Sequence, residues 1–144
     1  MERGKLMIVY KRIKDFKEID LEGLFRSVGW FSGKLPRKLK TAMQGSDRVV
    51  SAWHGEKLVG LIRGLDDGVW QATVDCLLVD PEYQGRGIAS TLLKTLLKEY
   101  ASFLYVNIVP DEKKNVEFYL KHGFKVMKEG TPLQIKGDGW KSGN

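Results

Sequence analysis

A chain of 144 residues, 42% apolar and 29% charged, has the size and balance of one soluble globular domain spanning 1–144. No apolar run approaches a membrane span, Met1-Glu2-Arg3-Gly4-Lys5 lacks the apolar segment of a signal peptide, and the single cysteine, Cys76, allows no internal disulfide; together these point to no membrane partner and to a reducing, cytoplasmic setting. The net charge of +6 belongs to residues 1–45, where eleven Lys and Arg meet five Asp and Glu.

Residues 6–13 alternate loosely and read as a first strand. Leu21, Leu24, Phe25 and Val28 fall on one helical face, with Asp20 as the expected cap and Gly29 as the expected stop. Trp30-Phe31-Ser32-Gly33 reads as a loop, and Pro36 opens a short second helix that ends near Gly45. Residues 48–53 and 58–65 are β-rich runs joined at His54-Gly55-Glu56-Lys57, a hairpin signal. Asp66-Asp67-Gly68 is another, leading into a strand over 69–79. A helix from Gly87 to Tyr100 crosses over to a fifth strand at 103–109, parallel to the fourth. Residues 115–122 predict a late helix closed by Gly123. Residues 124–127 and 133–135 predict a final hairpin, and 137–144 a glycine-rich mobile tail with Trp140 as an anchor. The fold class is mixed α+β, with helices on both faces of the sheet.

The most informative stretch is Val79-Asp80-Pro81-Glu82-Tyr83-Gln84-Gly85-Arg86-Gly87-Ile88-Ala89-Ser90. An apolar strand enters it, and a helix with Ile88, Leu92, Leu93, Leu96 and Leu97 on one face leaves it. The first amides of a helix have no intrahelical acceptor and sit at the positive end of its dipole. Gly85 and Gly87 let the backbone approach a ligand closely, and Arg86 adds a full charge. This is the layout of a phosphate or pyrophosphate cradle. The lysine and hydroxyl of a P-loop are absent, and so is the triple glycine of a dinucleotide fingerprint. A turn whose glycines serve geometry alone is the competing reading.

Gln84-x-x-Gly87-x-Ala89 after Leu77-Leu78-Val79-Asp80-Pro81 resembles the acetyl-CoA signature of the GNAT N-acetyltransferase superfamily. Phe118-Tyr119-Leu120-Lys121-His122-Gly123-Phe124 resembles that family's late helix and the strand after it. The pattern Trp30, Pro36-Arg37-Lys38-Leu39 and Val116-Glu117-Phe118-Tyr119 is similar to small bacterial and plastid relatives of the arylalkylamine kind. The resemblance implies a central, mostly antiparallel twisted sheet whose parallel fourth and fifth strands splay for acetyl-CoA. It implies transfer of acetyl to a primary amine by direct attack. The amides of Gly85, Arg86, Gly87, Ile88, Ala89 and Ser90 would face the pyrophosphate, with Gln84 in the same motif. Leu77, Leu78 and Val79 would offer main-chain groups to the pantetheine arm, and the Val79 amide would polarise the carbonyl. Tyr119 occupies the position of the general acid that protonates the departing thiolate; a core aromatic is the alternative.

The base is open. Asn107 stands where some relatives carry a glutamate, and Glu112 where the family commonly has an asparagine. Asp75 is one candidate, placed by period two on the face of Leu77 and Val79; a carboxylate paired with Arg63 is the equal alternative, and a relaying water a third. Cys76, expected to point away from Asp75, reads as a small packing residue. His54 and His122 read as surface residues, and no cluster has metal spacing, so no metal is expected. By the resemblance, Trp30, Phe31 and Arg37 line the acceptor side, with Lys34 and Lys38 nearby. The acceptor is then a small-molecule amine, either anionic or aromatic, with a protein amine as the further option. The basic segment lacks the interleaved aromatics of a nucleic-acid site, so no nucleic-acid partner is expected. A homodimer is compatible with the sequence, which does not select it. A non-catalytic acetyl-CoA sensor is the reading from a different class.

Overall fold

The computed structural model describes residues 7–144; Met1–Leu6, including the expected first residue of the first strand, lie outside the described residues. The chain forms two compact units, one running through Asn107 and including Asn144, the other Ile108–Gly143.

The first unit is built on a sheet whose strands lie in chain order: β1 (Ile8–Lys11), β2 (Arg48–His54), β3 (Lys57–Asp66), β4 (Gln71–Val79) and β5 (Tyr105–Ile108). The first four pair antiparallel, and β5 runs parallel to β4. Three helices join them: α1 (Glu18–Ser27), α2 (Pro36–Gln44) and α3 (Ile88–Glu99).

One face of the sheet meets α1 and α2. Leu21, Leu24, Phe25, Leu39 and Met43 pack there against Val49, Trp53, Leu58, Leu61 and Leu78. The opposite face meets α3, whose Ile88, Leu92, Leu93 and Leu96 are buried. Each such side chain contributes about 2 kcal/mol by leaving water. Gly60 makes the close approach of α3 feasible: a Cβ there would stand 3.1 Å from both Ile88 and Leu92. Gly64 serves the next turn in the same way, since a Cβ would overlap the Tyr100 hydroxyl. That hydroxyl donates to Asp66 (2.9 Å), and the Arg48 guanidinium lies 5.1 Å over the Tyr100 ring.

Two helix ends depart from or sharpen the sequence reading. Asp20 does not cap α1. Lys17 is the N-cap and offers no side-chain bond, so Asp20 sits within the first turn beside Glu18, where the helix dipole favours both carboxylates. At the other end, Gly29 takes φ 75°, as expected of a helix stop. Its amide donates to Arg26 O (3.0 Å) and the Trp30 amide to Phe25 O (3.2 Å), the paired bonds of a Schellman motif. The hydrophobic contact that accompanies this motif is Trp30 edge-on to Phe25 at 5.8 Å.

The second unit carries α4 (Val116–Leu120). Its end repeats the device: Gly123 has φ 95°, its amide donates to Leu120 O, the Phe124 amide donates to Tyr119 O, and the two rings meet edge-on at 5.8 Å. The expected final hairpin is absent; no strand occupies 124–137. Val126, Met127, Leu133 and Ile135 are exposed. A two-stranded hairpin is marginal without an apolar surface beneath it, and these short alternations find none. Among the described residues, no helix is long and apolar enough to cross a membrane.

Candidate functional site

The site begins with an irregularity in β4. Arg63 stands opposite Asp75 and Leu61 opposite Leu78, so β4 takes three steps where β3 takes two. Cys76 absorbs the extra residue with φ 55°, a left-handed conformation outside glycine. This β-bulge overturns the period-two argument. Asp75 shares its face with Arg63 and Leu78, on the side of α1 and α2, while Val79 lies opposite Gly60 on the side of α3. It also corrects the placement of Cys76, which packs against the α1 and α2 cluster and donates its thiol to Asp75 (3.4 Å).

Asp75 has the contacts of the paired carboxylate. Arg63 donates to its Oδ2 from Nη2 (2.7 Å) and Nε (3.2 Å). Burial alone would raise the Asp75 carboxyl, but the hydrogen bonds and charge of Arg63, with help from Cys76, outweigh it and hold the pKa below the ordinary carboxylate range. Such a group is a weak proton acceptor. Burial, with the Asp75 charge, pushes the Cys76 thiol up to about 12, which leaves it protonated and poorly nucleophilic at neutral pH.

Beyond Val79 the chain is held by its own polar groups. The Asp80 amide donates to Val59 O (2.9 Å), and its carboxylate accepts from the Glu82 amide (2.9 Å), capping a short 3₁₀ turn at Pro81–Tyr83. Lys57 Nζ is 3.4 Å from the same carboxylate. Gln84 Nε2 donates to Val79 O (3.0 Å), tying the loop back to the strand end. Gly85 (φ 79°) and Gly87 (φ 82°) are both left-handed, and a Cβ on either would meet nothing within 4 Å. Their role is conformational: they turn the chain so that α3 starts at Ile88 with no side-chain cap. The first helical bond runs from the Thr91 amide to Gly87 O, so the amides of Ile88 and Ala89 precede it. Ser90 lies in the same first turn. Gly85, Arg86 and Gly87 are exposed, and Ile88 is buried as the anchor.

His54 was not legible as part of this site. Its Nδ1 lies 2.7 Å from the Tyr83 hydroxyl, and Arg86 and Lys57 stand 5.9 and 5.3 Å from the Tyr83 ring. The tip of the β2–β3 hairpin thus braces the loop. The meeting of the hairpin tip with the loop after β4 brings these residues together, and nothing in the local pattern signals it.

On the acceptor side, Trp30 is committed to the end of α1 and packs on the core cluster. Phe31 is half exposed, with Lys34 Nζ 5.4 Å over its ring. The backbone amides of Arg37 and Lys38, at the start of α2, donate to Asn144 Oδ1 (2.7 and 3.3 Å). Leu77 is half-buried and Leu78 buried. In the second unit Tyr119 is buried, its ring edge-on to Phe118 (5.2 Å) and Phe124. Glu112 pairs with Lys114 (3.2 Å). Among the described residues no three His, Cys, Asp or Glu side chains gather as metal ligands.

Comparison with known proteins gives a consistent result. The chain is 32% identical to "Histone acetyltransferase TAP1" of Glycine max over 92% of its own length and 61% of that protein. It is 29% identical to "GCN5-related N-acetyltransferase 2, chloroplastic" of Arabidopsis thaliana over 92% and 58%. It thus spans about three fifths of these curated relatives. A solved GNAT-family acetyltransferase from Streptococcus pneumoniae superposes with a TM-score of 0.78 at 31% identity, covering 91% of this chain and 98% of that one. The sequence model of the "Acetyltransferase (GNAT) family" matches residues 13–124, which takes in the glycine loop, the bulged strand and the Tyr119 helix. The chain therefore belongs to the acetyltransferase (GNAT) family.

Proposed function

We propose that the protein transfers acetyl from acetyl-CoA to a primary amine by direct attack in a ternary complex. One observation carries the binding half: two left-handed glycines flank an exposed arginine and deliver the chain into an uncapped helix start. Backbone amides at such a start suit a diphosphate, and Arg86 adds charge at the rim. The residues fit that ligand, because nothing fills the space a Cβ would occupy at Gly85 or Gly87. Leu77, Leu78 and Val79 then offer main-chain groups to the pantetheine arm, with the Val79 amide as the donor to the thioester carbonyl. The Tyr119 hydroxyl is the proton donor to the departing sulfur.

Acceptor identity is a separate proposal. A small amine is favoured over a basic peptide because Lys34, Arg37 and Lys38 stand in the segment after Trp30 and would repel one. The soybean relative's name keeps a protein amine as the competing reading. The test has two steps. Acetyl-CoA at a hundred times its Kd should stabilise the protein by about 2.7 kcal/mol in a thermal melt. An amine panel scored by free-thiol release then follows. A stabilised protein that releases thiol with no amine is a sensor instead; a protein that acetyl-CoA leaves unchanged refutes the proposal.

A further inference from the structure

We infer that His54 and Tyr83 are positioning residues for the coenzyme: His54 fixes the Tyr83 ring, and the ring holds the Arg86 guanidinium in place for the diphosphate. The inference rests on the acetyl-CoA reading and adds a device, seated outside the glycine loop, that prepares the loop's arginine.

Two cations stand near the Tyr83 ring, Lys57 Nζ at 5.3 Å and Arg86 Cζ at 5.9 Å from its centroid. Their charges are not equivalent. Lys57 Nζ lies 3.4 Å from the Asp80 carboxylate and 4.0 Å from that of Glu82, so acidic groups of the same segment answer it. Among the described residues Arg86 makes no ion pair, and it is exposed. Its charge is therefore the one left for an anion arriving from solvent. Its backbone sits between two left-handed glycines, Gly85 and Gly87, which set the turn of the chain and leave the side chain to its own rotamers. An exposed arginine loses rotamer freedom when it grips a ligand. One already resting on an aromatic ring has lost part of that freedom beforehand.

Tyr83 can serve as that rest because it is fixed at both ends. Its amide donates to Asp80 O (2.8 Å), and the Asp80 amide donates to Val59 O of β3 (2.9 Å). Its hydroxyl meets His54 Nδ1 at 2.7 Å, and the two rings stand edge-on, 5.5 Å apart at 63°. His54 is the last residue of β2, paired with Ile8 of β1 and with Lys57 of β3. The order of restraint therefore runs from sheet to imidazole to phenol to guanidinium. Only its last member meets the coenzyme, so His54 and Tyr83 act through Arg86 and take no part in the acetyl transfer itself. The competing reading is that the two rings merely pack, holding the hairpin tip to the loop without setting the arginine.

The test titrates acetyl-CoA calorimetrically into the folded wild type and single variants, and into the Tyr83→Leu/Arg86→Ala double variant. His54→Ala and Tyr83→Phe break the same bond from either side, and each should weaken binding about fivefold. His54→Asn, which keeps a polar atom near the place of Nδ1, should recover part of that loss. Arg86→Ala should weaken binding about tenfold, and Tyr83→Leu should reproduce most of this. Once Arg86 is gone, Tyr83→Leu should cost less than about twofold more. Wild-type affinity should fall as potassium chloride is added, and Tyr83→Leu should flatten that dependence as Arg86→Ala does, which lost packing alone would not. Full additivity of Tyr83→Leu with Arg86→Ala would overturn the inference. So would His54 and Tyr83 variants that melt earlier yet bind acetyl-CoA as tightly as wild type. A wild-type affinity indifferent to salt would do the same, and that readout stands even if the Tyr83 variants fail to fold. A wild type that acetyl-CoA does not bind at all would instead strike the acetyl-CoA reading on which this rests.

Discussion

Replacing Gly87 by alanine isolates what the loop backbone does. Its φ is 82°, and a Cβ would meet nothing within 4 Å, so the substitution adds no clash and removes no contact. What remains is the cost of a left-handed residue with a side chain, about 1–2 kcal/mol. The chain can keep the turn and carry that strain, or relax φ to a negative value. Keeping the turn lowers the melting point by roughly 3–8 °C for a chain of this size. Relaxing it swings the amides of Ile88 and Ala89 out of line, and acetyl-CoA binding weakens by about tenfold for each 1.4 kcal/mol. Thermal melts of the free protein and calorimetric titration with acetyl-CoA partition the loss between the two. Gly85→Ala, at φ 79°, should behave alike. Gly130→Ala, with open space and no positive φ, is the control and should be neutral within about 0.5 kcal/mol. A Gly87→Ala protein as stable and as tight for acetyl-CoA as the wild type would refute the claim that this glycine is present for its conformation.

Gly64→Ala should destabilise by about 2–4 kcal/mol in urea melts, because Tyr100 must leave its place over Gly64 and its bond to Asp66; combined with Tyr100→Phe the losses should be less than additive, and full additivity would deny the contact. Tyr119→Phe should lower kcat by about a hundredfold while leaving the melting point within a few degrees; unchanged turnover removes the acid role. Cys76 in the folded protein should react with iodoacetamide at pH 8 roughly a thousandfold more slowly than a thiol at its ordinary value, and rapid labelling would contradict its burial. The folded Asp75 pKa lies below its unfolded value. The stability it brings is therefore complete above about pH 4 and drains away as acid carries the pH down through the folded value; Asp75→Asn should flatten that acid limb, and an unaltered limb would deny the pairing.

The features visible in advance were those set by local rules. The stripe of Leu21, Leu24 and Phe25 fixed α1, the turn at His54–Lys57 paired β2 with β3 as far as Trp53 opposite Leu58, beyond which the register shifts by one residue, and the positive φ of Gly29 and Gly123 followed from their places after helices. The glycine loop was legible because a tight left-handed turn favours glycine whatever the tertiary context. What escaped was tertiary. A bulge at a cysteine has no compositional mark, so the alternation of β4 was followed through a residue that breaks it. The brace of His54 on Tyr83 depends on two segments meeting in space. Short alternation in 124–135 imitated a hairpin because period two says nothing about whether a surface exists to receive it.

The extra residue at Cys76 makes β4 two strands written in opposite phase. Deleting it would leave Leu78 and Val79 where they are and turn the upstream half over. Ala72 and Val74, now beneath α3, would exchange sides with Thr73 and Asp75, sending a charge into the greasy layer and hydrocarbon out of it. The frame of this strand can therefore absorb substitution far more readily than a change in length.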